Sequence, residues 1–90
     1  MEQVSKLPTV TIFSRPDCCL CEVAKANIVS AGCDGEFVLE EINIDLDAAA
    51  REQYQYDIPV IFINGVKAFK HEVSPGDFKR KLRRLSRFTR

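Results

Sequence analysis

The sequence predicts one α/β domain with the element order β-α-β-α-β-β-α, built as a four-stranded mixed sheet with helices on both faces. Three observations support this prediction. Short β-branched or aromatic runs alternate with stretches of helical periodicity. The pair Asn64-Gly65 separates the last two strand-like runs, and both residues tolerate the positive φ of a tight hairpin turn. The length of 90 residues allows one core and no second one.

The first half of the chain predicts a strand followed by a helix. Residues 9–13 are β-branched and aromatic, and residues 14–17 have the composition of a turn. Apolar residues then recur at spacings of three and four, which predicts a helix from Cys19 to about Ala31 that ends at Gly32. We expect its buried face to consist of Leu20, Val23, Ala24, Ile28 and Ala31.

The second half predicts three strands and two helices. A strand spans residues 37–44, and Asp45 or Asp47 caps a short helix that runs to about residue 55. Residues 60–63 form a continuously apolar strand, typical of the middle of a sheet, and residues 66–70 return from the hairpin as an antiparallel edge strand. We expect the first three strands to be parallel. The last helix begins at Ser74-Pro75, and its apolar stripe is Phe78, Leu82 and Leu85.

Composition and charge describe a soluble globular chain. Apolar residues make up 46% and the formal net charge is zero. No apolar run approaches the roughly 20 residues that span a bilayer, and the first eight residues lack the features of a signal peptide. We therefore expect a cytoplasmic protein with no membrane partner, with a mitochondrial location as the alternative. The single domain covers residues 1–90, with a core at about 8–86.

The charge is unevenly distributed along the chain. Residues 1–66 carry 4 Lys/Arg and 11 Asp/Glu, whereas residues 67–90 carry 9 and 2. The basic C-terminal tail, residues 79–90, is interpreted as a solvated helix face whose cations complement the helix dipole. The alternative is a docking patch for an acidic partner, an anionic lipid or nucleic acid. Aromatic residues that could stack on bases are missing from the tail except for Phe88, so nucleic acid is disfavoured.

Three of the four cysteines lie at the junction between the first strand and the first helix. Cys18 and Cys21 form a C-x-x-C motif with Cys18 at the expected helix start. The unpaired N–H groups and the dipole at a helix N-terminus stabilise a thiolate, the form that attacks disulfides. The spacing of three brings the second sulfur one turn away, within reach of a mixed disulfide. The motif therefore predicts a redox site.

The other two cysteines have plainer interpretations. Cys19 is interpreted as a spare surface thiol, with a regulatory or metal role as the alternative, and Cys33 as a packing or surface residue. Four cysteines match the number of ligands in a tetrahedral site. Because Cys18 and Cys19 are adjacent and no second C-x-x-C follows, we expect no metal site within one chain.

These residues together resemble the thioredoxin fold. The resemblance rests on a strand, a C-x-x-C at a helix N-terminus and Ile58-Pro59-Val60 before the third strand. The short chain, the lead-in Ser14-Arg15, the sequence Asn43-Ile44-Asp45 and the hairpin are most similar to glutaredoxins. More narrowly, the chain resembles glutaredoxin-like proteins with a Ser-Arg-Pro-x-Cys-x-Leu-Cys start. The resemblance covers about residues 8–86.

The resemblance implies a role for five residues. Cys18 corresponds to the exposed nucleophile and Cys21 to the partly buried resolving thiol, joined by a redox disulfide in the oxidised form. Pro59 corresponds to a cis-proline that leaves the backbone of Ile58 free to pair with a peptide or glutathione, and Arg15 to a residue that helps bind a glutathione carboxylate. The implied protein is a monomeric thiol–disulfide oxidoreductase of electron transport, with no tightly bound cofactor. Its partners would be protein disulfides or glutathionylated proteins, with glutathione as co-substrate.

Two departures from the glutaredoxin pattern keep other functions open. Residues 70–77 contain no Gly-Gly, so the resemblance does not support half of the usual glutathione cradle. Asp17 disfavours a second anion at Cys18, whereas Arg15 favours it. One alternative is a binding module that docks an extended partner beside Ile58-Pro59 with little turnover. The other is a dimer bridged by an iron–sulfur cluster that glutathione helps to hold. His71, the one histidine, is interpreted as solvated or as a local hydrogen-bond donor.

Overall fold

The structure is a computed structural model that describes residues 7–86, so Arg87, Phe88 and Arg90 of the basic tail lie outside the described residues. The described part contains four strands, three α-helices and one 3-10 turn. They are β1 (Thr9–Ser14), α1 (Cys19–Ser30), β2 (Val38–Asn43), a 3-10 turn (Ile44–Leu46), α2 (Ala48–Tyr54), β3 (Val60–Ile63), β4 (Val66–Lys70) and α3 (Pro75–Ser86). The predicted element order is therefore confirmed.

The strands form one mixed sheet in the order β2-β1-β3-β4. β1 and β2 are parallel, and β4 is an antiparallel edge strand, as expected. The expectation that β3 is parallel to β1 was wrong, since the two strands are antiparallel. The seven residues of α2 span only about 10 Å, roughly half the length of the six-residue β2. α2 therefore crosses the sheet instead of returning along it, and β3 begins at the edge where β2 ends.

Helices cover both faces of the sheet. On one face, α1 and α3 pack on alternate residues of β1 and β3. The helices contribute Ala24, Ile28, Phe78 and Leu82, and the strands contribute Val10, Ile12, Ile61 and Ile63. On the other face, the rings of Phe13 and Phe62 contact Tyr54 of α2, with centroids 4.7 and 6.0 Å from the Tyr54 ring. The larger core thus lies beneath α1, the helix that begins at the C-x-x-C motif.

The helix starts follow from local capping. The Asp47 carboxylate accepts a hydrogen bond from the Ala50 N–H at 3.1 Å, so Asp47 is the cap of α2, while Asn43 caps the 3-10 turn. Ser74 Oγ accepts from the Asp77 N–H at 3.1 Å, with Pro75 in the first position of α3, as predicted. Each cap satisfies an N–H group that has no partner within its helix.

Two residues of the predicted buried face of α1 point elsewhere. Ala24, Ile28 and Ala31 are buried, but Leu20 and Val23 are 52% and 54% exposed. The buried face of α1 is formed by Cys21, Ala24 and Ile28, so Leu20 and Val23 lie on the neighbouring face of the helix and line an open groove instead. None of the helices in residues 7–86 has the length and apolarity needed to cross a membrane.

Candidate functional site

The candidate site lies at the edge of the sheet where β1 and β2 end and β3 begins. Phe13 pairs with Val60 in the antiparallel β1–β3 register. The loop that leads from Ser14 to Cys18 and the segment Ile58–Pro59 therefore leave the sheet side by side. His71, which follows β4, donates its N–H to the Pro59 carbonyl at 2.8 Å. The topology thus brings the C-x-x-C motif and Ile58-Pro59 to one edge, although they are about forty residues apart in sequence.

Cys18 caps the N-terminus of α1 with its sulfur. Its backbone is extended, with φ −100° and ψ 111°, and its Sγ accepts a hydrogen bond from the Cys21 N–H at 3.4 Å. The Cys18 carbonyl accepts the first helical bond from the Glu22 N–H at 3.2 Å. Cys18 is partly exposed. The Cys18 sulfur is therefore both open to solvent and held against the N-terminal turn of α1.

Cys21 lies one turn further along α1 and is almost completely buried, with 1% of its surface exposed. The pKa of the Cys21 thiol is raised to about 12, mainly by burial and also by the hydrogen bond and charge of Cys18. A hydrogen bond from the Arg15 backbone and the charge of Lys25 lower it. Cys18 and Cys21 therefore form an asymmetric pair in which the outer sulfur is accessible and the inner one is kept as a thiol.

The two remaining cysteines are separate from this pair. Cys19 is exposed on the first turn of α1. Cys33 is fully buried in the core, with its thiol 3.7 Å from the Ala31 carbonyl oxygen, so it packs as a small apolar residue. Among residues 7–86, no group of three or more His, Cys, Asp or Glu side chains is arranged to hold a metal ion.

The Ile58–Pro59 peptide bond is cis, as the resemblance implied, and Pro59 is fully buried. Ile58 is partly exposed. Within the described part of the chain, neither the N–H nor the carbonyl of Ile58 takes part in a hydrogen bond. An extended segment of another molecule could therefore pair with the Ile58 backbone, in the manner of a strand added to a sheet edge.

Arg15 lies at the same edge but its guanidinium is engaged. Its Nε lies 2.9 Å from Oδ1 of Asp45, which follows the end of β2. Both side chains are about two-fifths exposed or less. A carboxylate ligand would have to share Arg15 with Asp45, so the predicted role of Arg15 in binding glutathione stays a prediction.

A polar cluster next to Cys21 was missed from the sequence. Glu41 of β2 accepts hydrogen bonds from Ser14 Oγ at 2.8 Å and from Lys25 Nζ at 3.0 Å. These bonds lower the pKa of Glu41, and the bond from Lys25 has the larger effect. The available signal was the spacing of four between Cys21 and Lys25, which predicts neighbours on one helix face. Nothing in the sequence indicates that Glu41 faces them.

His71 and the basic residues of α3 agree with their plainer interpretations. The His71 Nε2 is 3.3 Å from the Tyr56 carbonyl oxygen, consistent with local hydrogen bonding by a half-exposed ring. Arg80 pairs with Asp77, and Arg83 donates two bonds to Glu36, at 3.3 and 3.1 Å. The docking role of the basic tail is not tested by these contacts.

Comparison with known families decides the relationship. The model of one protein family, described as "Glutaredoxin-like domain (DUF836)", matches residues 9–83. The match covers most of the chain and includes the C-x-x-C motif, Ile58-Pro59 and most of α3. The chain belongs to this glutaredoxin-like family.

Solved structures agree with the fold of this glutaredoxin-like domain. A malarial protein has a TM-score of 0.66 at 15% identity, over 86% of this chain and 94% of that one. A mutant thioredoxin from Halobacterium salinarum has a TM-score of 0.55 at 16% identity, over 93% and 76%. Trxlp from Edwardsiella tarda has a TM-score of 0.53 at 19% identity, over 97% and 85%. The thioredoxin-like fold is therefore confirmed.

Proposed function

We propose that this glutaredoxin-like protein is a thiol–disulfide oxidoreductase that works through Cys18 and Cys21. The observation that carries the proposal is the asymmetry of the pair. Cys18 is accessible and its sulfur accepts the N–H of Cys21 at the N-terminus of α1, whereas Cys21 is buried behind it with a pKa raised to about 12. A pair of this kind provides one attacking sulfur and one that acts only after a bond to Cys18 has formed.

The first step is attack by the Cys18 thiolate on a substrate disulfide. A bond forms between Cys18 Sγ and one substrate sulfur, and the substrate S–S bond breaks. The departing substrate sulfur leaves as a thiolate and takes a proton from water. The attacking sulfur lies at the N-terminus of α1, where it accepts a hydrogen bond from the Cys21 N–H.

The second step resolves the mixed disulfide. The Cys21 thiol loses its proton, its sulfur attacks Cys18 Sγ, and the bond between Cys18 and the substrate breaks. The substrate leaves as a second thiol, so it has gained two electrons and two protons, and the protein holds a Cys18–Cys21 disulfide. Glutathione or a reductase returns the pair to the dithiol. Since the two cysteines carry the electrons, no tightly bound cofactor is required.

Reduction of a small disulfide tests the proposal directly. Hydroxyethyl disulfide and a glutathionylated peptide serve as substrates for the wild type, Cys18→Ser and the matched control Cys19→Ser. We expect turnover by the wild type and by Cys19→Ser, and a rate at background for Cys18→Ser. Background rates for all three proteins with both substrates would contradict the proposal.

A binding module with little turnover is the second candidate. It is supported by the Ile58 backbone, which has no hydrogen-bond partner in residues 7–86 and is accessible to an extended segment. Binding of a partner peptide by the wild type and Cys18→Ser alike, combined with background exchange rates in both, would favour this candidate over the enzyme.

A further inference from the structure

We propose that a groove beside the C-x-x-C motif binds the polypeptide that carries the substrate disulfide, and that it selects segments with apolar and basic side chains next to the cysteine. The groove runs between α1 and the connection from β4 to α3. The inference deepens the proposed function and rests on it, because the selection matters only if Cys18 exchanges disulfides with the bound segment.

The groove consists of two adjoining cavities. The first, of about 350 Å³, is lined by Leu20, Tyr56, Ile58, His71 and Glu72. The second, of about 400 Å³, shares Leu20, His71 and Glu72 with the first and continues along α1 towards Asn27 and Val73. The groove thus begins at Ile58, whose backbone is available for pairing, and passes Leu20, which is two residues beyond Cys18. An extended segment whose cysteine meets Cys18 would have its neighbouring residues in this groove.

The wall formed by α1 is apolar and open. Leu20 and Val23 are 52% and 54% exposed and lie one turn apart on the same helix face, and Phe69 also lines the second cavity. Covering such side chains with a ligand is favourable because it removes apolar surface from water. The wall therefore favours an apolar side chain over a charged one at the adjacent positions of the ligand.

The opposite wall is acidic. Glu72 lines both cavities, and within residues 7–86 its carboxylate has no ion pair or hydrogen bond. Asp77, in the second cavity, is paired with Arg80. Neither lining contains a Lys or Arg side chain, and the Nε2 of His71 lies 3.9 Å from Oδ1 of Asp57. The free charge of the groove is thus the carboxylate of Glu72, which complements a Lys or Arg side chain.

Glutathione fits this groove poorly on charge grounds. At neutral pH it carries two carboxylates and one ammonium group, so its net charge is negative. Arg15, the cation that could receive a carboxylate near Cys18, is paired with Asp45 at 2.9 Å. The carboxylates of glutathione would be repelled by the Glu72 carboxylate, because like charges repel about as strongly as opposite charges attract. The groove therefore favours a cationic and apolar polypeptide segment over glutathione.

Binding can be measured without turnover. We would titrate the reduced, ¹⁵N-labelled protein with two blocked pentapeptides, Arg-Leu-Ser-Leu-Arg and Glu-Leu-Ser-Leu-Glu, in which serine replaces the reactive cysteine. S-methylglutathione is the third probe. We expect the Arg peptide to shift the amide resonances of Leu20, Phe69 and Glu72 in a saturable way. Its Kd should be about two- to fivefold lower than that of the Glu peptide at low salt, as for an exposed charge pair.

Three variants locate the preference in the groove. Glu72→Lys should abolish or reverse the preference for the Arg peptide, and Leu20→Ser should weaken binding of both peptides. Glu52→Lys is the matched control, because Glu52 is exposed on α2 at the other face of the sheet. The preference should persist in Glu52→Lys and shrink at high salt.

Several results would overturn the inference: no resonance shifts in the groove, equal or tighter binding of the Glu peptide or S-methylglutathione, or the same loss of preference in Glu52→Lys. Its failure is distinguishable from that of the proposed function. Disulfide exchange that depends on Cys18 without groove binding would reject the groove alone. Groove binding without exchange would reject the oxidoreductase and leave a peptide-binding surface.

Discussion

Lys25 Nζ lies 3.0 Å from Oε2 of Glu41, and this ion pair connects α1 to β2 one helical turn beyond Cys21. Lys25 also lies 3.1 Å from Oε2 of Glu22. Hydrogen bonds to Glu41 and Glu22 raise the pKa of Lys25, so the ammonium stays charged throughout the neutral range. Its charge lowers the pKa of Cys21 against the larger effect of burial. Lys25 is thus held where it stabilises the thiolate that must form on Cys21.

The first prediction concerns this ammonium group. Lys25→Met removes the charge and keeps much of the side-chain length, so the pKa of Cys21 should rise and the resolving step should slow. We expect the rate at which the mixed disulfide at Cys18 is resolved to fall by about two- to threefold, since the Lys25 charge is the smaller of the two effects that lower the pKa of Cys21. Rapid acid quenching followed by mass spectrometry measures the lifetime of the mixed disulfide.

Arg51→Met is the matched control for Lys25→Met. Arg51 is an exposed cation in α2, on the other face of the sheet. Its replacement changes the net charge equally and should leave the lifetime unchanged. Equal lifetimes in Lys25→Met and the wild type would mean that Lys25 has no influence on Cys21.

The second prediction concerns accessibility of the four thiols. Iodoacetamide should label Cys18 and Cys19 in the folded, reduced protein, because Cys18 is partly exposed and Cys19 exposed. Cys21 and Cys33 are 1% and 0% exposed and should be labelled only after unfolding. Peptide mapping by mass spectrometry after brief labelling gives the order in which the four cysteines react. Labelling of Cys33 as fast as Cys19 would contradict its position in the core.

The fold was predictable from the sequence where the signals are local. Asn64-Gly65 predicts the hairpin, and the φ angles of the two residues are 51° and 81°. The Ser74-Pro75 start of α3 and its buried Phe78 and Leu82 follow from capping and periodicity. The direction of β3 was not predictable from alternation of strands and helices, because it depends on how far α2 runs across the sheet.

Some features of the candidate site were likewise predictable from local sequence, whereas others depend on the tertiary structure. The position of Cys18 at a helix N-terminus follows from the turn composition before it and the periodicity after it. Whether the apolar Leu20 and Val23 are buried depends on which face of α1 meets the sheet, and the apolar residues of α1 are spread too widely around the helix for periodicity to specify that face. The Arg15–Asp45 and Lys25–Glu41 pairs join residues 30 and 16 positions apart, so they required the β1–β2 register.

The third prediction concerns the core beneath α1 and α3. Phe78 is fully buried, and its ring meets that of Phe37 edge to face at 5.3 Å. Phe78→Ala should lower the free energy of unfolding by about 3–5 kcal/mol. Lys79→Ala, at the next and exposed position of α3, should change it by less than about 0.5 kcal/mol. Urea denaturation followed by circular dichroism measures both. Similar midpoints for the two variants would place Phe78 outside the core.

The fourth prediction concerns the pH dependence of the resolving step. The pKa of Cys21 is raised to about 12 by burial, and also by the hydrogen bond and charge of Cys18. The two contributions of Cys18 vanish once its sulfur is bonded to substrate, but burial remains. Because the thiolate fraction grows tenfold per pH unit below the pKa, the resolving rate should rise continuously from about pH 7 to pH 9.

The Cys21→Ser variant provides the comparison for this pH profile. Its mixed disulfide at Cys18 can be cleaved only from solution, by added glutathione, whose thiol has a pKa near the ordinary value of about 8.5. Cleavage by glutathione should therefore level off above about pH 9, whereas resolution by Cys21 in the wild type should continue to increase. A wild-type rate that is independent of pH between 7 and 9 would mean that Cys21 is already ionised in the mixed disulfide, and that burial does not control the second step.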